Sequence, residues 1–127
     1  MDGKVNALNW FDISVSDLAR AKKFYETVFG IKMETMEMGP LKMAGFPAEM
    51  GNGKVSGCLA KSEYHKPSGE GVLLYLNGNP NLQSVLDKVA EAGGKIMRPK
   101  TQISPEIGYM AVMIDTEGNA IGLHSNG

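Results

Sequence analysis

Residues 10–30 read Trp10-Phe11-Asp12-Ile13-Ser14-Val15-Ser16-Asp17-Leu18-Ala19-Arg20-Ala21-Lys22-Lys23-Phe24-Tyr25-Glu26-Thr27-Val28-Phe29-Gly30, and this stretch decides the fold. From Leu8 to Val15 the apolar Phe11, Ile13 and Val15 alternate with Trp10, Asp12 and Ser14, the period of a strand with two unlike faces. Ser16 or Asp17 can cap a following helix. Its apolar positions Leu18, Ala21, Phe24 or Tyr25, and Val28 recur at helical spacing until Gly30 supplies a left-handed stop. A strand whose apolar face is covered by the next helix leaves its other face for a different purpose.

Outward from this unit, Ile31 to Glu37, Lys42 to Ala48 and Val55 to Lys61 read as strands, separated by Gly39-Pro40 and Gly51-Asn52-Gly53. Ser62 to Gly69 lacks periodicity and reads as an exposed crossover. The pattern then restarts. Gly71 to Asn77 is an apolar strand, Pro80 opens a helix carrying Leu82, Val85, Leu86, Val89 and Ala92, and Gly93-Gly94 closes it. Strands are expected at Lys95 to Ile103, Tyr109 to Asp115 and Asn119 to Ser125, the last two joined through Glu117-Gly118-Asn119. Leu18 and Leu82 lie 64 positions apart, as do Gly30 and Gly94, so one βαβββ unit is used twice. The sequence predicts an α+β fold in a single domain over 1–127, with modules at 5–62 and 70–126. Two helix-covered sheets would enclose a concave central cleft, the place for a ligand.

Thirteen Lys and Arg against fourteen Asp and Glu leave a net charge of −1, without the basic excess that draws a protein onto nucleic acid or anionic membranes. No apolar run has the length of a signal segment or a membrane span. The lone Cys58 cannot form an internal disulfide, and a cytoplasmic setting is expected. The scattered glycines form no phosphate cradle, and no cofactor is expected.

The 10–30 stretch resembles the opening module of the glyoxalase/bleomycin-resistance/dioxygenase (vicinal oxygen chelate) superfamily. Asp115-Thr116-Glu117-Gly118-Asn119-Ala120-Ile121-Gly122-Leu123-His124 resembles the hairpin that closes the other module. The resemblance implies paired sheets forming a barrel around the cleft, a homodimer, and either a small-molecule ligand or chemistry on a small substrate. Metal-dependent relatives place His or Glu on the first and last strands of each half. The corresponding positions here are Trp10, Gly71 or Leu73, Ser56 or Gly57, and Gly122, so no metal ligand is assigned. This departure puts metal-dependent lyase and dioxygenase chemistry in doubt.

Binding of a small organic molecule in an apolar, metal-free cleft is the expected function. The alternatives are a metal-independent enzyme acting on a small carbonyl or thiol compound, or a metal-dependent enzyme whose ligands lie elsewhere. Trp10 and Asp12 share the cleft side of the first strand, as plate and carboxylate, with Arg98, Lys100 or Lys61 as expected partners for Asp12. Gly122 and His124 share the cleft side of the last strand, and His124 or Asp12 is the candidate for proton transfer. Tyr75 would project its hydroxyl into the cleft or line the core. Cys58 joins the binding set by position, with no neighbouring His to activate it. His65, beside Lys66 and Pro67, reads as solvated. The methionines on the strands either fill core gaps or line an adaptable pocket. Pro99 to Gly108 reads as a lip over the cleft or a long hairpin connection.

Overall fold

The carboxylate of Asp17 accepts a hydrogen bond from the Arg20 amide at 3.0 Å, capping helix α1 (Leu18–Phe29). At the other end Gly30 takes φ 63° and returns its amide to the Glu26 carbonyl. The repeat preserves the first device: Asn81, 64 positions on, caps α2 (Leu82–Val89) by accepting from the Gln83 amide at 2.9 Å. Asn81 rather than Pro80 therefore opens the second helix, because a proline side chain has no acceptor for a free amide. Leu82, Val85, Leu86 and Val89 form one buried stripe along α2.

These elements belong to a computed structural model that describes residues 1–49 and 51–127. Strands β1 (Trp10–Ser14), β2 (Glu34–Met38), β3 (Leu41–Gly45) and β4 (Ser56–Lys61) make one sheet in the order β1-β4-β3-β2. Strands β5 (Tyr75–Asn77), β6 (Lys95–Ser104), β7 (Gly108–Ile114) and β8 (Ala120–Ser125) make the other, in the order β5-β8-β7-β6. In each sheet the strand before the helix pairs parallel with the last strand, and the remaining pairs are antiparallel. The fold is α+β, with the same mixed sheet made twice. Among the described residues no strand pair joins the two sheets, so they do not close into one hydrogen-bonded barrel.

The helices pack against each other and, with the inner faces of both sheets, bury a single core. It contains Ile13, Val15, Phe24, Tyr25, Leu59, Leu76, Leu86, Met113 and Leu123 from both halves. Each such fully buried large side chain contributes roughly 1.5–3 kcal/mol.

The predicted closing hairpin is also a clamp between the halves. Asp115 accepts from the Glu117 and Asn119 amides at 2.8 and 2.9 Å, fixing the turn in which Gly118 takes φ 89°. Asn119 donates its side-chain amide to the Ser14 carbonyl at 2.8 Å, and Glu117 accepts from the amides of Ser16 and Asp17 at 2.9 and 2.8 Å. Arg20 closes the clamp on Glu117 at 2.8 Å.

β3 ends at Gly45 rather than Ala48, and two strands begin three or more residues later than the sequence reading places them. β2 begins at Glu34 rather than Ile31, because Glu26 at the end of α1 draws in the Ile31 and Met33 amides. β5 begins at Tyr75 rather than Gly71: Gly71 takes φ 93°, and pairing with β8 starts only where the Leu74 carbonyl accepts from the Gly122 amide. A left-handed residue cannot continue a strand ladder.

Candidate functional site

Strand alternation sends Ile13 and Leu59 into the core and leaves Trp10, Asp12, Ser56 and Cys58 on the opposite, open face of the first sheet. In the second sheet Ile121 and Leu123 are buried, while Tyr75, Gly122 and His124 lie on the open face with Met110. The structure thus places the predicted residues on open faces, as two groups on two sheets.

On the first sheet Asp12 is a hub. Its Oδ1 accepts from the Trp10 indole N–H at 3.0 Å and from the Cys58 thiol at 3.2 Å, and its Oδ2 accepts from His65 Nε2 at 3.0 Å. His65 is held in turn by Ser62, whose Oγ lies 2.7 Å from Nδ1. Burial pushes the pKa of the Asp12 carboxyl up, but the hydrogen bonds from His65, Cys58 and Trp10 outweigh it and hold the group below its usual value. The Cys58 thiol is pushed up to about 12 by burial, with the Asp12 carboxylate adding to the effect. An inert thiol is what the sequence suggested.

Two expectations are corrected here. His65 is not merely solvated, because the turn after β4 returns its ring to Asp12. Asp12 is satisfied by His65, Cys58 and Trp10 rather than by Arg98, Lys100 or Lys61. Lys100 instead lies 4.4 Å over the Tyr109 ring and donates to Asn81 at 3.3 Å. Ser62 and His65 carried a faint sequence signal, a serine directly after a strand with a histidine three residues later, a spacing that lets a turn bring the two side chains together.

Trp10 keeps 51 % of its surface exposed although its N–H is engaged, so the indole faces are its free surface. Met36 and Met38, exposed, and Met43, buried, lie on the same side. On the second sheet Tyr75 is 48 % exposed and lines a hollow with Ile103, Met110 and His124. Its ring lies against Gly122, where a Cβ would stand only 2.6 Å from Tyr75 Cδ1. His124 is fixed by the Ile107 carbonyl at 2.7 Å; a carbonyl only accepts, so Nε2 carries the proton and Nδ1 is the remaining acceptor. This bond also ties the last strand to the β6–β7 turn, which is short: Pro99 to Ser104 of the expected lip or long connection belong to β6, and only 105–107 join it to β7. The methionines divide, with Met33 and Met113 in the core and Met36, Met38 and Met97 exposed.

The family model for the Glyoxalase/Bleomycin resistance protein/Dioxygenase superfamily matches residues 7–123. The chain belongs to this superfamily. CFP32 of Mycobacterium tuberculosis is 30 % identical over 119 residues, which cover 91 % of this chain and 44 % of that protein; the chain spans about half the length of this curated relative. A glyoxylase-like domain-containing protein of Didymella fabae is 29 % identical over 115 residues, 88 % of each. Among solved structures, a glyoxalase/bleomycin resistance protein of Albidiferax ferrireducens superposes with a TM-score of 0.69 at 17 % identity, covering 96 % of this chain and all of that one. TnmS3, an antibiotic-binding protein of a Streptomyces species, gives 0.66 at 24 % identity, covering 97 % and 98 %.

The strand register tests the metal positions that the superfamily implies. Trp10 stands opposite Ser56, and Tyr75, rather than Gly71 or Leu73, stands opposite Gly122. The four positions offer an indole without a lone pair, an alcohol, a phenol and a bare glycine, a set without imidazole or carboxylate. These residues do not fit a divalent-ion centre. Among the described residues no three His, Cys, Asp or Glu side chains gather elsewhere as one. No helix among them is long and apolar enough to cross a membrane.

Proposed function

We propose that the chain binds a small, largely apolar organic molecule on its open sheet faces without a metal ion. The observation that carries this reading is the half-exposed indole of Trp10, pinned by its N–H to Asp12 so that only its faces are left for a ligand. A fixed aromatic plate loses little conformational freedom on binding. Met36 and Met38 add adaptable apolar surface on the same face at the opposite edge of that sheet, while Tyr75 and His124 Nδ1 on the other sheet supply a few orienting polar groups. Asp12, with three donors already converging on it, serves as a positioning residue rather than a cation anchor. The fold of TnmS3, an antibiotic-binding protein, accommodates such a role.

The reading includes a homodimer, because Trp10, Met36 and Met38 on one sheet and Met97 and Ile103 on the other would leave water if a second copy brought unlike sheets face to face. It places the protein in the cytoplasm, where Cys58 stays a thiol.

The test uses Trp10 as the single intrinsic fluorophore of its kind. Titration with a neutral naphthalene-class probe in the presence of a chelator should give saturable quenching, and Trp10→Ala should weaken binding of the same probe at least about tenfold by equilibrium dialysis. Quenching that appears only after a divalent ion is added, or affinity unaffected in Trp10→Ala, would overturn the reading. Native mass spectrometry on the same sample reads the dimer.

A further inference from the structure

The Ser62-His65-Asp12 chain has a direction. The Asp12 carboxylate can only accept, so His65 Nε2 carries the proton at 3.0 Å from Oδ2. In the neutral ring Nδ1 is then the acceptor, and the Ser62 hydroxyl, 2.7 Å away, is the donor that faces it. Ser62 Oγ itself accepts from the Tyr64 amide at 3.1 Å, which fixes its rotamer. The backbone makes this arrangement cheaply: β4 ends at Lys61, and the His65 amide returns to the Ser62 carbonyl at 3.3 Å, turning the chain back over Asp12. Ser62 and His65 are both partly exposed, so a small molecule can reach the hydroxyl, and Trp10 donates to the same carboxylate from its other side. A hydroxyl bonded to a base that a third group orients is the arrangement of an activated nucleophile.

We propose that Ser62, His65 and Asp12 form a nucleophilic relay that takes the acyl group from a small uncharged carboxylic ester. Ser62 Oγ forms a bond to the ester carbonyl carbon while its proton passes to His65 Nδ1. The bond from that carbon to the leaving oxygen breaks, and the proton is delivered to the departing alcohol. Water then attacks the acyl-serine by the same route, releasing the carboxylic acid and restoring the Ser62 hydroxyl. No redox partner or metal takes part. The inference goes beyond ligand binding, with which it shares Trp10 and Asp12.

The test is p-nitrophenyl acetate with the full chain. Wild-type protein should release p-nitrophenol above the buffer rate, and acid-quenched samples should carry one acetyl group that peptide mapping places on Ser62. Ser62→Ala should abolish both signals. His65→Gln should slow release by about 100-fold or more, the usual share of a positioned base. Asp12→Asn should slow it similarly, because an amide can present an N–H to Nε2 and favour the wrong tautomer. Far-UV circular dichroism establishes that each variant is folded. Should Ser62→Ala fail to fold, Ser62→Cys takes its place, with the acetyl group expected as a thioester at residue 62. Acetyl groups found only on lysines, or His65→Gln turning over like wild type, would overturn the relay. Saturable quenching of Trp10 by the naphthalene-class probe in Ser62→Ala keeps that failure distinct from a failure of binding.

Discussion

The hydroxyl of Tyr25 donates to Oδ2 of Asp115 across 2.7 Å, inside the protein, tying the middle of α1 to the turn that opens the last hairpin. Asp115 is also the acceptor for the Glu117 and Asn119 amides, so this one bond couples a helix of the first half to the turn geometry of the second. Burial, and then the neighbouring carboxylate, push the Tyr25 phenol well above its usual pKa, which keeps it a donor. Tyr25→Phe should destabilise the fold by about 1–3 kcal/mol, the cost of leaving a buried charged acceptor short of one partner. A lower urea midpoint with an unchanged slope is the expected result.

Glu117 gives a pH prediction. Burial opposes its ionisation, but Arg20, the amides of Asp17 and Ser16, and the Thr116 hydroxyl outweigh it and lower the carboxyl from 4.5 to about 2. The folded value lies below the unfolded one, so the stabilisation is fully present above about pH 4.5 and is lost as pH falls toward 2. Glu117→Gln should therefore lower stability at pH 7 and flatten its decline between those limits. Thermal melts of both proteins across that range measure the difference.

The helix caps at Asp17 and Gly30, the two-faced β1 and the Asp115–Asn119 turn were legible because each is set by neighbours within a few residues. Strand alternation alone gives the open-face positions of Trp10, Asp12, Gly122 and His124, and leaves Tyr75 divided between cleft and core. The bond between His65 and Asp12 was not legible, since 53 positions separate the partners and the crossover that carries His65 has no periodicity. The short β5 was missed for a related reason: Gly71 to Leu74 has strand composition, but the positive φ of Gly71 delays pairing. Local chemistry showed which side chains share a face. Long-range closure decided which of them touch.

The two glycines opposite edge-strand aromatics should respond differently to substitution. At Gly57 an added Cβ would collide with the backbone carbonyl of Phe11 as well as its ring, and neither can leave the packed strand pair. Gly57→Ala should cost about 1–3 kcal/mol, as overpacking does. At Gly122 the obstruction is the half-exposed Tyr75 ring, free to swing toward solvent. Gly122→Ala should leave the denaturation midpoint nearly unchanged while altering ligand affinity at the Tyr75–His124 hollow. Equal destabilisation by both would contradict the packing described for Tyr75.

Cys58 supplies a direct probe of the Asp12 hub. With its thiol pushed up to about 12, first by burial and then by Asp12, almost none is thiolate at pH 8. Iodoacetamide should therefore alkylate the native protein far more slowly than the urea-unfolded chain. Asp12→Asn removes the negative charge 3.2 Å from Sγ while keeping the side-chain shape, so it should speed alkylation of the still-folded protein. Intact mass against time gives both rates. Native Cys58 reacting as fast as in the unfolded chain would show that the thiol does not sit against Asp12, and the orientation assigned to the Trp10 indole would lose its support as well.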